Sequence, residues 1–336
     1  MSLLSNWKEV LDTANLSPDK EMDTVSKWLI ITRAAVFSMT ATSGLIGGLL
    51  AVALAEKVNY FNFGLAVIGL VLAHAANNMI NDYFDMEGGV DTDEYTRALY
   101  APHPVLAGLT SKRGLLSAIL FVNLIDAAIM IYFTLTVGWP TLVFALAGLF
   151  ISVFYVAPPI KLKHIGLGEP GVFIVWGPLM IGGAYYVTAG MLPPIGVWLA
   201  CIPYALVVTT VLIGKHIDKR EVDREKGIRT IPVIIGERSS LWLNQALMVL
   251  YYLVTFALVL SGTLGVWVLL VVVALPRLRQ VMKIYNEPKP SQPPENYPVW
   301  PLWFVSAAFF HNKLAGGMFV LGLILNLILP YRIDLF

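Results

Sequence analysis

Phe61-Asn-Phe-Gly-Leu-Ala-Val-Ile-Gly-Leu-Val-Leu-Ala-His-Ala-Ala-Asn-Asn-Met-Ile-Asn-Asp-Tyr-Phe-Asp85 joins two kinds of sequence in one unbroken run. It opens apolar, and as a helix it is long enough for a bilayer core that takes roughly 20 residues. Beyond His74 the helical pattern continues but the side chains turn polar. Asn77, Asn81 and Asp85 recur at four-residue steps and line one face, with Asn78 and Asp82 about 100° round from them. The stretch reads as a membrane helix with an acidic stripe at one end. Gly88-Gly89 then breaks the helix, so that Asp91 and Asp93 can fold back toward Asp85. A set made only of hard oxygen ligands suits magnesium or calcium rather than zinc. Magnesium commonly takes one or two carboxylates together with substrate phosphates.

The rest of the chain shares this solvent. Hydrophobic residues are 57% of 336 and charged ones 13%, against about 45–50% and about 25% in soluble domains, so an all-α integral membrane protein is expected. Spans are read near 30–55, 61–82, 114–137, 139–158, 169–189, 194–214, 241–261, 263–276 and 308–330, about nine in all. Brief turns at Gly138-Trp139, Gly190 to Pro194 and Ser261-Gly262 alternate with long polar loops at 83–113, 159–168, 215–240 and 277–307. Of the 23 Lys and Arg residues, only Lys57 and Arg332 fall on the short-turn face. This bias places the long loops in the cytoplasm, the N-terminus inside and the C-terminus outside, in a multi-pass protein of the cell membrane. Residues 1–27 are polar and mixed in charge, unlike a signal peptide, and are read as a cytoplasmic tail. Residues 28–336 then form one membrane domain, with pseudo-repeated halves at about 28–160 and 161–276 and a final helix at about 308–330. A net charge of +1 offers no field to draw in nucleic acid, and no protein partner is implied. The single cysteine, Cys201, allows no internal disulfide and reads as a small buried hydrophobe.

A second acidic cluster follows the sixth span: Gly214-Lys-His-Ile-Asp-Lys-Arg-Glu-Val-Asp-Arg-Glu-Lys-Gly-Ile-Arg-Thr230. It mixes acids with Lys219, Arg220, Arg224, Lys226 and Arg229, so one loop offers ligands for a metal and charge for phosphates carried by that metal. Both clusters follow even-numbered spans on one side, in corresponding places of the two halves, which points to one shared site. Tyr155-Val-Ala-Pro-Pro-Ile-Lys-Leu-Lys163 puts a tyrosine at the end of the fourth span and Lys161 and Lys163 just outside it. Arg33 near the start of the first span reads either as a snorkelling anchor or as a phosphate contact. His103, His164, His216 and His311 show no metal-ligand spacing, so no zinc site is expected.

These residues resemble the UbiA superfamily of intramembrane prenyltransferases. Asn81-Asp82-Tyr83-Phe84-Asp85 matches its Asn-Asp-x-x-Asp motif, with Asp91 as the further acid. The ending in Gly-Val-Asp is similar to the branch of the menaquinone-pathway 1,4-dihydroxy-2-naphthoate prenyltransferases. So are Gly166-Leu-Gly-Glu169 and Gly182-Gly-Ala-Tyr-Tyr186. His103-Pro-Val-Leu-Ala-Gly-Leu-Thr-Ser111 resembles an Arg-Pro-x-x-x-Gly-x-x-Ser stretch, with His103 in place of Arg. Asp223-Arg-Glu-Lys-Gly-Ile-Arg-Thr230 matches the latter part of the second motif, Asp-x-x-x-Asp followed by Arg-x-x-Gly-x-x-Thr. The upstream acid is out of register. Lys219 stands four before Asp223, and Asp218 lies one step further back, about 140° away on a regular helix. Either a bulge returns Asp218 to the site, or Asp218, Glu221 and Glu225 form a face of their own.

The resemblance implies a nine-helix bundle with a central cavity capped by the two acidic loops. It also implies transfer of a prenyl group from a prenyl diphosphate to a small aromatic acceptor within membrane lipid. In that reading Asn81, Asp82, Asp85, Asp91, Asp218 and Asp223 hold Mg2+. Arg33, Lys112, Arg113, Lys163 and Arg229 bind the diphosphate, and Tyr155, Lys161 and Arg224 act at the reacting centre. Three other functions fit parts of the pattern: a terpene cyclase on the same scaffold, a transporter, and a non-catalytic lipid-binding protein.

Overall fold

The computed structural model describes residues 3–91, 101–295 and 297–333, so Asp93 lies outside the described residues. The helices are α1 Leu3–Thr13, α2 Thr24–Ile31, α3 Ala34–Leu54, α4 Tyr60–Glu87, α5 Lys112–Thr136, α6 Pro140–Phe154 and α7 Gly168–Ala189. They continue with α8 Ile195–Asp218, α9 Arg220–Glu225, α10 Ile231–Ile235, α11 Glu237–Leu260, α12 Leu275–Asn286 and α13 Phe304–Ile328. No strand occurs among the described residues.

Seven of these helices, not nine, are long and apolar enough to cross a membrane. The two departures have local causes. The stretch read as 139–158 gives a helix of only 15 residues, about 22 Å against a core of about 30 Å, because Pro158-Pro159 cannot continue it. The stretch read as 263–276 begins as a 3₁₀ helix, Val266–Ala274, and becomes α-helical only at Leu275, where its sequence turns amphipathic. Conversely, α4 runs for 28 residues, about 42 Å, so its acidic end projects past the apolar layer.

α8 is the buried axis. It packs on α7, α11 and α13, and Tyr204, Val208, Tyr251 and Phe319 meet in the largest apolar cluster. α5 is peripheral. Only Leu115 and Phe133 are buried in it, whereas Leu120, Phe121, Leu124 and Leu135 face outward, as on a helix solvated by hydrocarbon. Small residues set the closest approaches: a Cβ on Gly47 of α3 would run into the backbone of Ile181 and lie 2.8 Å from Ala184 Cβ in α7. Between α3, α4, α5, α6, α7 and α8 lies an apolar cavity of about 490 Å³. Arg33 and Asn81 line it toward the polar end of α4. Asp126 also lines it and stands near Gly69, 12 residues or about 18 Å back along α4 from Asn81. The N-terminal segment packs over the polar end: α1 lies on α2, and Trp7 Nε1 donates to Asp23 Oδ1 at 3.0 Å.

Candidate active site at the polar end of the bundle

The stripe on α4 keeps its expected faces, and each polar side chain on it is engaged or buried. Asn77 Nδ2 donates to Ser152 Oγ at 2.7 Å, and Asn78 Nδ2 to Thr32 O at 3.0 Å. Asn81, Asp82 and Asp85 are buried. Gly88 caps the helix and Gly89, at φ +68°, turns the chain back. The N–H groups of Val90 and Asp91 then donate to Asp85 O at 2.7 and 3.0 Å, which swings Asp91 over Asp82. Carboxylate atoms of Asp82 and Asp91 and a ring nitrogen of His103 lie within 4.8 Å of one another.

His103 braces this group. Its Nδ1 accepts from the N–H groups of Val105 and Leu106, both at 3.2 Å. Nε2 therefore carries the proton, donating to Asp82 O at 3.3 Å and lying 3.7 Å from Asp91 Oδ2. A nitrogen committed as donor is not a metal ligand, so the local donor set is oxygen. Asn81 Oδ1 adds to it, being buried with no hydrogen-bond partner among the described residues.

Cations ring the acids. Arg33, held in a left-handed conformation at φ +56° by the break between α2 and α3, pairs with Asp82. Lys161 is also left-handed, at φ +50°, and turns the chain so that Lys163 points inward and donates to Asp85 Oδ2 at 2.9 Å. Burial opposes the charge on Lys163, but Asp85 and Asp223 outweigh it and hold the ammonium above the usual lysine range. Lys219 is buried as well. Burial, followed by the charge of Lys163, pushes it down to about 8 against the pull of Asp223, Asp91 and Asp85.

The two acidic loops meet directly. Lys226 Nζ donates to Gly89 O at 3.1 Å and to Val90 O, and Val90 packs on Ile228. Asp223, at the centre of this junction, is fully buried.

A family model described as UbiA prenyltransferase family matches residues 40–314. The chain belongs to the UbiA prenyltransferase family. UbiA prenyltransferase domain-containing protein 1 of Danio rerio is 25% identical over 231 residues, 67% of this chain and 66% of that protein. The 1,4-dihydroxy-2-naphthoate octaprenyltransferase of Bacillus subtilis (strain 168) is 23% identical over 273 residues, 81% of this chain and 86% of that protein. Among solved structures, a UbiA homolog from Archaeoglobus fulgidus bound to GPP and Mg2+ superposes with TM-score 0.62 at 14% identity, covering 87% of this chain and 99% of that one. An all-helical UbiA fold with seven apolar helices makes this an integral membrane protein.

Not every expected site residue joins the UbiA-family cluster. α8 ends at Asp218, and the break at Lys219 starts a new helix, but this does not bring Asp218 to Asp223. Asp218 instead accepts from the N–H groups of Phe304 at 3.2 Å and Val305 at 3.0 Å and pairs with Lys289 at 3.1 Å, capping α13. In the register between Asp218 and Asp223 it is Lys219 that turns into the site. The alternative face also dissolves, because Glu221 is exposed and pairs with Arg220 and Arg224. Arg224, Arg229 and Arg113 are exposed. Lys112 pairs with Glu87 at 2.8 Å on the rim, and Lys163 rather than Lys161 contacts the acids. Tyr155 is buried on the cavity wall, its hydroxyl 3.5 Å from His216 Nε2, while His216 Nδ1 lies 2.7 Å from Glu169 Oε1. Sequence reasoning named Lys219 as charge for phosphates without placing it among the acids, and missed the bracing by His103 and the joining of the two loops by Lys226. The signal for Lys219 was its place in the register where the second motif has an acid.

Proposed function

We propose that this chain catalyses magnesium-dependent transfer of a prenyl group from a prenyl diphosphate to a small aromatic acceptor, releasing pyrophosphate. One observation carries the reading: Asn81, Asp82, Asp85, Asp91 and Asp223 are buried within electrostatic reach of Arg33, Lys163 and Lys219 at the polar end of an apolar cavity of about 490 Å³. A diphosphate fits the first part and a prenyl chain the second.

The donor set suits magnesium. It consists of oxygens, includes a buried amide oxygen with nothing to accept from, and has His103 turned away as a donor. Asp82, Asp91 and Asn81 would hold one ion and Asp85 with Asp223 a second. Bound Mg2+ would supply Lewis-acid stabilisation of the departing pyrophosphate, worth several kcal/mol. The chain's own residues do the rest. Arg33, Lys163 and Lys219 place positive charge where the leaving group gathers negative charge. Lys163 at the same time holds Asp85 in position. The apolar wall excludes water, which would otherwise capture the allylic cation. Tyr155 closes the cavity near the reacting end.

Relatives support the substrate class. The Archaeoglobus structure holds GPP with Mg2+, and the Bacillus relative is named for a dihydroxynaphthoate acceptor. The Lys and Arg bias of the long loops supports a site on the cytoplasmic side of the cell membrane. Purified protein given geranyl diphosphate and 1,4-dihydroxy-2-naphthoate is expected to release pyrophosphate and form a prenylated product only with Mg2+. Release with no acceptor and a cyclised hydrocarbon would select the terpene cyclase instead. No release with any prenyl diphosphate would end the reading.

A further inference from the structure

His74 stands on the same face of α4 as Asn78 and Asp82, four and eight residues before them, hence about 6 and 12 Å deeper in the membrane. It is 5% exposed and lines the cavity. Imidazole is costly to bury without a function or a partner, and here only one of its nitrogens has a partner. Nδ1 lies 2.7 Å from Thr40 Oγ1, whereas Nε2 makes no hydrogen bond among the described residues. The ring is held on both sides, by Phe37 at 5.5 Å between centroids and by Trp176 at 5.2 Å, the latter edge-to-face at 87°.

The placement of Trp176 is itself built. Residues Val175–Leu179 form a π-turn inside α7, where Pro178 has no N–H to offer the regular ladder. Such turns recur at functional positions. The carbonyl of Trp176 is taken by Ser43 Oγ at 2.7 Å, and its indole Nε1 is buried with no hydrogen-bond partner among the described residues. The result is a stretch of the cavity wall, one to two helical turns below the acidic cluster, formed by His74 and Trp176 and carrying an imidazole nitrogen.

We propose that this stretch of wall seats the aromatic acceptor and that His74 Nε2 takes the proton of the acceptor's hydroxyl. The proposal rests on the prenyl-transfer reading above. A hydroxylated aromatic ring matches what this wall offers: apolar surface, with Trp176 on it, for the ring and an imidazole nitrogen for the hydroxyl. The depth agrees too, since His74 lies one and two turns of α4 below Asn78 and Asp82 and lines the cavity there. As the hydroxyl proton moves to Nε2, the ring carbon attacks C1 and a C–C bond forms. The C1–O bond breaks with its electron pair leaving on pyrophosphate. The ring C–H proton then shifts to the former hydroxyl oxygen and restores aromaticity. The one net proton released is the one on His74, and it departs with product. Thr40 holds the ring through Nδ1 and is a positioning residue.

The test compares wild type with His74→Gln, which keeps a hydrogen-bonding side chain of similar reach, and Thr40→Val, which removes only the hydroxyl. Steady-state kinetics are run with geranyl diphosphate and 1,4-dihydroxy-2-naphthoate. For His74→Gln the expected result is a rise of at least 10-fold in acceptor KM and a fall of about 100-fold in kcat. KM for geranyl diphosphate should stay within about 3-fold, which also shows that the variant is folded. Thr40→Val should show a weaker version of the same pattern. Unchanged acceptor KM and kcat in His74→Gln would overturn the assignment, as would a parallel rise in KM for geranyl diphosphate. A wild-type protein that turns over geranyl diphosphate without any acceptor would remove the acceptor seat while leaving the diphosphate site standing. One with no turnover at all would remove both.

Discussion

Lys163 Nζ donates to Asp85 Oδ2 at 2.9 Å, between side chains only 6% and 11% exposed. The two residues lie 78 positions apart, one at the end of the longest helix and the other on a 3₁₀ turn after the short α6. The pair joins the wall of the cavity to its acidic end and keeps a carboxylate charged where water is scarce. Breaking such a pair by removing one partner costs about 3–5 kcal/mol, because the other charge is stranded.

Lys163→Met is therefore expected to lower the thermal midpoint in detergent and to reduce pyrophosphate release at least 100-fold. Lys161→Met, two positions away at a half-buried site, should stay within about 2-fold. Equal effects would show that the inward turn at Lys161 does not select between them.

Asp218 and Asp223 should separate stability from activity. Asp218→Asn leaves one of the two α13 N–H groups without an acceptor and removes the charge opposite Lys289, and should cost about 2 kcal/mol, with the magnesium requirement unchanged. Asp223→Asn should abolish most turnover, and Glu221→Gln should alter neither. Magnesium titrations and melting curves of the three variants decide this, and an active Asp223→Asn enzyme would remove that residue from the site.

Lys219 sets a pH dependence whose sign can be worked out. Its folded pKa of about 8 lies below the ordinary 10.5. Between these values the unfolded chain keeps a proton that the folded chain has lost, so stability rises with pH across this window. Below pH 8 both states are protonated and the full penalty of burying the charge, on the order of 3 kcal/mol, is present. Lys163 is shifted the other way, above 10.5, and contributes no slope there. Metal-free protein should thus gain stability from pH 8 to pH 10, and Lys219→Met should lose part of that gain, as read by chemical denaturation.

Glu221, half exposed at 51% of its side chain, reports topology. With Cys201 replaced, a cysteine at Glu221 is expected to react with a membrane-impermeant reagent only from the cytoplasmic side. Reaction from outside would invert the assignment of the long loops.

Packing between α3 and α7 depends on Gly47. In Gly47→Val the new side chain would meet Ile181 and Ala184, and overpacking of this kind costs about 1–3 kcal/mol. A lower thermal midpoint with unchanged KM values at the remaining activity is expected.

Part of this architecture is settled between residues close in the chain. Apolar runs longer than a bilayer, the four-residue steps from Asn77 to Asp85 and the break at Gly88-Gly89 depend on period and local backbone freedom, and all appear in the structure. The span count failed where length alone decided: Pro158-Pro159 stops α6 short, and Val266–Ala274 winds as 3₁₀. Tertiary structure decided which charges meet. Asp218 finds its partners at Phe304 and Val305, 86 and 87 residues on, so no reading of the second motif alone could send it away from the site and bring Lys219 in. His103 likewise became a brace only once Asp82 and Asp91 were folded against it. A long-range carboxylate or imidazole contact is chosen by whichever buried donor or acceptor the packing leaves in need of a partner, and that choice is not written in local spacing.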